Sequence, residues 1–467
     1  MRWTDFLNTL SGAVWGAPMT VLLLGAGLFL SLRTGFPQIV RFPQMLRHTL
    51  GAAFQKGKKS GGVSPLQATC TALAGAVGTG NIAGVAGAVA LGGPGAVFWM
   101  WVSAALGMCT KYCEVALALR FRRRGPGGQW LGGPMYYIRD GLGRRFAPLA
   151  GAFALFGALA SFGIGCTAQV NTVAETVKGA AAAFFPLTPA QQALIAWCVS
   201  ILCATAAAAV ILGGVQRLAE VTSRIVPAMA LLYLAAALAV ILLRAGELPR
   251  VLRAIIQGAF DPAAATGGAA GIGLRQAMGR GISRGVFSNE AGMGSSPIAH
   301  ASATADHPAG QGLLGIFEVF TDTVVICTLT ALVILLGVGA ENLPYGADPG
   351  AALTLRGFQS VLGGRGPGLL LAAVLSLFAL STLLAWSYYG SRCVEYLLGP
   401  RAAKGYQLLF CLAAALSGGI RLEIVWTVSE LFNGLMAVPN LIGVLALSPV
   451  AARLTRDYFK RRTAPFL

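Results

Sequence analysis

The fold is decided by an interrupted apolar stretch, Thr71-Ala-Leu-Ala-Gly-Ala-Val-Gly-Thr-Gly-Asn-Ile-Ala-Gly84. The stretch lies in an uncharged run from Ser60 to Thr110, which is long enough for two membrane crossings of about 20 residues each. Gly in a helix interior costs about 1 kcal/mol relative to Ala. Several glycines beside Thr79 and Asn81 therefore predict an unwound turn in the middle of a membrane span.

Uncharged runs continue along the whole chain. They cover Phe6 to Leu32, Phe146 to Ala174, Gly179 to Gln216, Ile225 to Leu243, Gly366 to Ser391 and Leu431 to Ala451. Only 11% of the 467 residues are charged, against about 25% in soluble domains. Each span must satisfy its backbone hydrogen bonds internally in hydrocarbon, which favours helices, and the alternating segments typical of β-barrels are not seen. The sequence therefore predicts an all-α integral membrane protein that resides in a lipid bilayer.

About eleven transmembrane helices are expected, within a single transmembrane domain over 1–467. The predicted spans are 13–32, 66–91, 95–120, 147–174, 190–213, 222–243, 274–299, 313–338, 368–395, 405–420 and 423–450. The first span is long, lacks a basic leader and runs into a basic loop, so it is interpreted as a retained helix rather than a signal peptide.

Basic residues in the loops predict the orientation. One side of the membrane, with the segments 33–59 and 120–145 and the C-terminus, carries 23 Lys and Arg residues, and the other side carries nine. By the positive-inside rule, the protein is expected in the cell (inner) membrane with its N-terminus outside and its C-terminus in the cytoplasm. The segment 244–275, on the predicted outer side, is more basic than the rule favours.

A second interruption mirrors the first. The stretch Gly285-Val-Phe-Ser-Asn-Glu-Ala-Gly-Met-Gly-Ser-Ser-Pro297 concentrates glycine and small polar residues in the seventh span, five helices after the first interruption. This spacing predicts a five-plus-five inverted repeat, with 66–243 and 274–450 as the two repeats and 13–32 as an additional helix. Close helix packing through small residues is the alternative for Gly84 and Gly87.

Two Gly-interrupted spans in corresponding halves are the sequence pattern of a transporter binding site. The N-terminal end of a half-helix attracts a carboxylate, and freed carbonyls coordinate a cation. Other functional classes fit the sequence less well than a transporter does. The basic residues behind the net charge of +18 are spread over the loops between spans, which argues against a nucleic-acid-binding protein. The nine cysteines lie almost wholly in apolar segments, three histidines are too few for a metal site, and enzyme motifs or a repeated channel filter are not found.

Long strings of this sequence resemble the alanine or glycine:cation symporter family, also called the sodium:alanine symporter family. They are Thr71 to Gly84, Leu91-Gly-Gly-Pro-Gly-Ala-Val-Phe-Trp-Met-Trp101, Gly132-Gly-Pro-Met-Tyr-Tyr-Ile138, Phe287-Ser-Asn-Glu-Ala-Gly-Met-Gly-Ser-Ser-Pro-Ile-Ala-His300, Ala385-Trp-Ser-Tyr-Tyr-Gly390 and Asn433-Gly-Leu-Met-Ala-Val-Pro-Asn440. Glu430 and Ser296 depart from the family pattern. The resemblance implies a LeuT-like fold, similar to the neurotransmitter:sodium symporters. It implies uptake of alanine or glycine with Na⁺ as the co-transported ion and no other cofactor, or alternatively with H⁺.

The resemblance also suggests the substrate-binding residues. Backbone N–H groups near Thr79 and Gly80 are expected to hold the substrate carboxylate. The second interruption, at Asn289, Glu290, Ala291 and Gly292, is expected to offer carbonyls to the ammonium group. Two further side chains complete the predicted site: Gln169 within an apolar span, for which an interhelical hydrogen bond is the alternative, and Trp386, which would limit side-chain size.

The predicted Na⁺ site consists of neutral oxygens. Ser381 and Thr382 are adjacent hydroxyls, which the resemblance sets against carbonyls near Ala74 and Val77. Hydrogen bonding of these hydroxyls back to their own helix is the alternative.

Charged residues within spans are costly and are functional candidates by default. Lys111 and Glu114 are expected to pair at i,i+3. Glu290 is expected to hold the unwound loop together, with substrate or proton binding as alternatives. Glu318 and Asp322 share a helix face at i,i+4, and a coupling role for them stays open.

Overall fold

The computed structural model describes residues 10, 12, 14–54, 62–182, 184–261, 273–347, 349–419 and 422–463. The starting residue of the first predicted span, 13, and the last residue of the tenth, 420, lie outside this set. The described chain is overwhelmingly helical, and its one small sheet pairs Arg123–Arg124 antiparallel with Trp130–Leu131. The prediction of an all-α membrane protein is confirmed.

The helices follow the predicted spans in order. They are α1 Ala17–Thr34, α2 Pro37–Val40, α3 Phe42–Phe54, α4 Pro65–Ala76, α5 Ala83–Gly92, α6 Gly95–Arg120, α7 Pro134–Gly141, α8 Ala147–Phe162, α9 Ala168–Ala182, α10 Pro189–Ile211, α11 Gly214–Leu243, α12 Leu248–Phe260, α13 Leu274–Asn289, α14 Ser296–His300, α15 Pro308–Val319, α16 Thr328–Gly337, α17 Ala351–Leu362, α18 Gly366–Leu398, α19 Pro400–Leu416, α20 Leu422–Ala446 and α21 Ser448–Thr463.

Among the described residues, eight helical segments are long and apolar enough to cross a membrane, or nine if the bent pair α4 and α5 counts as one span. Two of the eleven predicted spans fall outside this group for physical reasons. The span 274–299 is divided into α13 and α14 and is polar, and α19 has only 17 residues. Both helices nevertheless occupy their predicted positions in the chain.

The first interrupted helix bends by 61° between α4 and α5. Helix α4 begins at a capping box, in which Ser64 accepts from the Gln67 N–H and Gln67 accepts from the Ser64 N–H. The helix ends at Val77, whose backbone is extended, and a 3₁₀ turn at Thr79–Asn81 leads into α5. The predicted unwound turn is therefore present at the predicted position.

The second interrupted helix breaks between α13 and α14. Glu290 ends α13 in the left-handed conformation with φ 53°, which is costly for a residue with a side chain. Gly292 and Gly294 follow with φ of 91° and 80°, a region that glycine adopts without strain. The short helix α14 resumes at Ser296–His300.

Several segments that were predicted to be loops form amphipathic helices. The basic segment 244–275 contains α12, whose Val251 and Ile255 are buried while Arg250 pairs with Glu341 at 3.1 Å. A surface helix explains why this region carries more basic residues than the predicted orientation favours. The string 132–138 forms the start of α7, with Tyr137 buried.

The additional helix α1 packs against the membrane core rather than standing apart. A Cβ on Gly27 would lie 2.8 Å from the Leu106 carbonyl oxygen of α6, so the two helices touch through the glycine. Leu23 of α1 reaches within 2.5 Å of the Cβ position of Gly292. The additional helix therefore braces the second interruption.

Candidate functional site at the two interrupted helices

A hydroxyl group lies against the first interruption. The Thr382 Oγ1 of α18 donates to the Ala74 carbonyl at 3.1 Å and also lies 3.0 Å from the Phe378 carbonyl of its own helix. A Cβ on Gly78 would lie 2.8 Å from the same oxygen. Thr382 is thus brought to the end of α4, next to the extended Val77, as the sequence analysis expects.

Ser381 takes a different direction from its neighbour. Its hydroxyl bonds to the Phe378 carbonyl at 2.9 Å and lies 3.4 Å from the Met229 sulfur of α11. The bond back to the own helix is the alternative that the sequence analysis left open. Of the adjacent hydroxyl pair, the structure brings Thr382 to Ala74 and turns Ser381 toward α11.

A π-helical turn aims Gln169 at the first interruption. The turn, Gly163–Thr167, joins α8 to α9, and its wide winding lets the Ile164 carbonyl accept from Gln169 Nε2 at 2.9 Å. The Gln169 Oε1 then accepts from the Thr79 hydroxyl at 3.4 Å. These two predicted substrate residues are therefore neighbours, although they are 90 positions apart in sequence.

Trp386 packs on the same π-helical turn. A Cβ on Gly165 would lie 2.1 Å from the Trp386 Cβ, so only glycine admits the indole at this position. Trp386 is 1% exposed and meets Tyr389 edge-to-face with ring centroids 5.7 Å apart. Its burial argues against an interfacial anchor, the alternative role for a membrane tryptophan.

The two interruptions meet in a polar cluster whose contacts were not predicted from the sequence. Asn81 Nδ2 donates to the Ser288 hydroxyl at 2.9 Å and to Asp322 Oδ1 at 2.6 Å. The hydroxyls of Ser288 and Thr323 both donate to Asp322 Oδ2 at 2.8 Å. The Gly-x-Gly-Asn pattern identifies Asn81 as a polar residue of the unwound turn. Its hydrogen-bond partners could not be predicted, because they are distant in sequence.

The second interruption satisfies most of its polar groups within the protein. Asn289 donates to the Thr323 hydroxyl at 3.1 Å and accepts from the Ala291 N–H at 3.0 Å. The Glu290 carboxylate accepts from the Ser295 hydroxyl. The Gly292 carbonyl accepts from Asn440 Nδ2 at 2.8 Å. Side chains within the loop and on neighbouring helices therefore pair most of its polar groups, and the structural role of Glu290 stays a prediction.

A buried ion pair supports this interruption from the neighbouring helices. Lys111 Nζ lies 3.3 Å from Glu318 Oε1 and donates to the Ser296 hydroxyl at 2.6 Å and the Glu290 carbonyl at 3.2 Å. Lys111 therefore pairs with Glu318 of α15 rather than with Glu114, because the helices place Glu318 directly opposite. His300 Nε2 lies 3.0 Å from Glu318 Oε2. The histidine is fully buried at this position.

A cavity of about 1010 Å³ lies along α13, from Gly273 to Phe287. Phe287 lines it, and a Cβ on Gly80 would lie 4.0 Å from the Phe287 ring. The Trp15 ring meets Phe287 with centroids 6.2 Å apart, and Trp15 Nε1 donates to the Glu430 carbonyl at 2.9 Å. Phe287 thus separates the cavity from the first interruption.

The site offers polar but mostly uncharged groups to a ligand. In the part of the chain that is described, no group of three or more His, Cys, Asp or Glu side chains is arranged to hold a metal ion. The hydroxyl of Thr382 and the freed carbonyl of Ala74 suit a monovalent cation, and the N–H groups of the Thr79–Asn81 turn that leads into α5 suit a carboxylate.

Two membrane helices interrupted at one polar centre define the class of LeuT-like secondary transporters. The solved structure of MhsT in complex with L-phenylalanine shares this fold, with a TM-score of 0.55 and 14% identity over 86% of this chain and 99% of that chain. The model of the sodium:alanine symporter family matches residues 1–465. The chain therefore belongs to the sodium:alanine symporter family, and it is a transporter rather than an enzyme.

Two relatives match along almost the whole chain. The sodium/alanine symporter AgcS of Methanococcus maripaludis is 42% identical over 463 residues, which are 98% of each chain. An uncharacterized transporter of Haemophilus influenzae is 44% identical over 459 residues, which are 98% of this chain and 96% of the relative.

The buried Lys111–Glu318 pair generates a stability prediction. Lys111→Met or Glu318→Gln alone leaves one buried charge without its partner, and we expect each to lower the free energy of unfolding by about 3–5 kcal/mol. The double variant is expected to lose less than the sum of the two. Unfolding of purified protein in detergent measures this, with the exposed Glu220–Arg224 pair, worth about 0–1 kcal/mol, as the matched control. Additive losses in the double variant would contradict the pairing.

Proposed function

We propose that the protein imports a small neutral amino acid, alanine or glycine, together with Na⁺ by alternating access. Family membership and the AgcS relative support Na⁺-coupled amino acid transport. The observation that carries the proposal is the contact of Gln169 with Thr79 and of Thr382 with Ala74 at the first interruption, with Trp386 packed on the π-helical turn before Gln169.

The substrate carboxylate is proposed to bind at the backbone N–H groups of Thr79 and Gly80, at the beginning of the outer half-helix. Partial positive charge at a helix start stabilises an anion. Gln169 fixes the Thr79 hydroxyl at the edge of this site, at 3.4 Å. The ammonium group is proposed to face the second interruption, at Asn289 to Gly292, whose carbonyls carry the complementary partial charge.

The cation is proposed to bind between α4 and α18, at the carbonyls of Ala74 and Val77 and the hydroxyls of Thr382 and Ser381. The Thr382–Ala74 contact at 3.1 Å supports this placement. The site adjoins the carboxylate position through Gly78 and Thr79. Proximity of a cation to the substrate carboxylate favours binding of both together, which is the physical basis proposed for coupling.

In this proposal the N-terminus is outside and the C-terminus cytoplasmic, so the cavity beside Phe287 faces outward. The excess of Lys and Arg on the opposite loops supports this orientation. Buried carboxylates near the second interruption favour the alternative proposal, a proton-coupled amino acid carrier in which Glu290 is the leading residue.

Uptake of labelled alanine into proteoliposomes tests the proposal. We expect accumulation with an inward Na⁺ gradient and loss of accumulation when choline replaces Na⁺. Accumulation that instead follows a pH gradient without Na⁺ would support the proton-coupled alternative. The absence of uptake under either gradient, from protein that elutes as a single folded species, would overturn both.

The neighbouring hydroxyls give a matched pair of variants. Thr382→Ala removes the group that touches Ala74, and we expect the Na⁺ concentration for half-maximal uptake to rise about tenfold, the loss of roughly one hydrogen-bond-sized interaction. Ser381→Ala, whose hydroxyl is directed toward Met229, is expected to raise it less. Sodium titrations of alanine uptake measure both. A larger effect from Ser381→Ala would contradict the proposed cation geometry.

Trp386 is proposed to set the size limit of the substrate. Trp386→Ala opens space beside the π-helical turn, so we expect the ratio of leucine to alanine uptake to rise by at least about tenfold, as for a pocket that gains methylene-sized volume. Competition assays with both amino acids measure the ratio. Trp197→Ala is the control, because this indole is 40% exposed on the outside of the bundle. An unchanged ratio in Trp386→Ala would exclude this role.

A further inference from the structure

Three carboxyl groups and one ammonium group are buried together beside the second interruption. Glu114 and Glu318 are fully buried, Glu290 is 4% exposed, and Lys111 is fully buried among them. An ionised carboxylate in a low-dielectric interior is stable only if it is paired with a positive charge or is well hydrogen-bonded. One ammonium group cannot neutralise three carboxylates.

The ammonium group of Lys111 pairs with the carboxylate of Glu318. Lys111 Nζ lies 3.3 Å from Glu318 Oε1 and donates its other hydrogen bonds to the Ser296 hydroxyl and the Glu290 carbonyl. His300 also lies against this carboxylate, with its Nε2 3.0 Å from Glu318 Oε2 and its Nδ1 2.8 Å from Gln311 Nε2. The nearest nitrogen groups are therefore grouped around Glu318, and the three carboxyl groups outnumber them.

Glu114 has one buried carboxyl oxygen that lacks a hydrogen bond of normal geometry. Its Oε1 accepts from Asn440 Nδ2 at 2.5 Å and the Gly292 backbone also faces the carboxyl group, whereas its Oε2 has no such partner among the described residues. The Glu290 carboxylate accepts from the Ser295 hydroxyl. The titratable or charged groups around Glu114 are Lys111 and Cys113 on α6, Tyr137 on α7, Glu318 on α15, and beyond them Glu290 and His300 of the second interruption.

We infer that Glu114 is a proton-binding site and that it carries a proton on Oε2 in this conformation. Protonation removes the uncompensated charge and leaves Oε1 free to accept from Asn440. The bound proton comes from water and is exchanged as H⁺, so the site needs no further reactant. This site is separate from the proposed Na⁺ site at Thr382 and Ala74.

Asn440 connects this proton to the interrupted helix. The same amide nitrogen that donates to Glu114 at 2.5 Å donates to the Gly292 carbonyl at 2.8 Å, and the Tyr137 hydroxyl donates to the Asn440 oxygen. A movement at Gly292 therefore changes the hydrogen bonding of Glu114. Conversely, loss of the proton adds a negative charge to Glu114 beside the carboxylates of Glu290 and Glu318, and this repulsion disfavours the conformation. The inference that transport responds to pH through Glu114 rests on the proposed function, whereas the proton site itself does not.

Infrared spectroscopy of the purified protein tests the proton site without any transport. We expect a carbonyl band of protonated carboxylic acid at neutral pH, part of which disappears in Glu114→Gln. Glu220→Gln, the same substitution at a carboxylate with 57% of its side chain exposed, is the control and should leave the band unchanged. Identical spectra for the wild type and Glu114→Gln would show that Glu114 is ionised and would overturn the proposal.

Alanine uptake under a fixed Na⁺ gradient, with equal pH on both sides, tests the consequence. We expect uptake by the wild type to fall as pH rises, because deprotonation of Glu114 depletes this conformation. Glu114→Gln keeps the neutral form and is expected to show a flat profile, while Glu220→Gln keeps the wild-type slope. A wild-type slope in folded Glu114→Gln would overturn the regulatory role. Absence of uptake by the wild type would count against the proposed function and leave the infrared result to decide the proton site.

Discussion

Backbone groups released inside a membrane must find partners in the protein or in a ligand, and this constraint organises the whole structure. Each interrupted helix releases N–H groups and carbonyls in the buried core, at a cost of several kcal/mol for each group left unpaired. The polar residues of the core are concentrated where these groups appear. The Asn81–Ser288 contact at 2.9 Å joins the two interrupted helices into one polar centre, and Asp322 accepts from both side chains.

The two interruptions meet this requirement differently. The second is closed by protein groups: Lys111 caps the Glu290 carbonyl, Asn440 caps the Gly292 carbonyl, and Asn289 bonds within the loop. The first is closed by neutral groups only: Thr382 caps the Ala74 carbonyl, Thr330 caps the Asn81 carbonyl, and the Asn81 side chain accepts from the Gly78 N–H. A built-in ammonium group thus holds the second interruption, whereas neutral groups hold the first. This difference supports the proposal that the first interruption receives the carboxylate and the cation, while the second faces the ammonium group of the substrate.

Much of this architecture could be predicted from the sequence, because its causes are local. Runs of apolar residues give the helices, and glycine with Asn81 or Glu290 gives the two unwound turns at the predicted positions. The pairing of Lys111 was predicted wrongly, because proximity along one helix favoured Glu114 while tertiary packing places Glu318 opposite the ammonium group. The π-helical turn that directs Gln169 could not be predicted either, because the two glycines of Gly163 to Thr167 are equally compatible with close packing of a regular helix.

The Lys111–Glu318 pair shows why buried charges are kept in a membrane interior, although apolar side chains could be packed there at a lower cost in free energy. A fixed ammonium group on α6 supplies the positive charge that a freed carbonyl and a carboxylate both require, and it does so without a diffusible ion. A tethered cation holds the second interruption in every conformation in which α6 and α15 stay packed together. The cation proposed at the first interruption is free to leave. In this proposal the second interruption keeps the bound ammonium group of Lys111, whereas the first interruption binds and releases Na⁺. A coupled carrier needs both: a fixed charge that holds its structure and an exchangeable ion at its binding site.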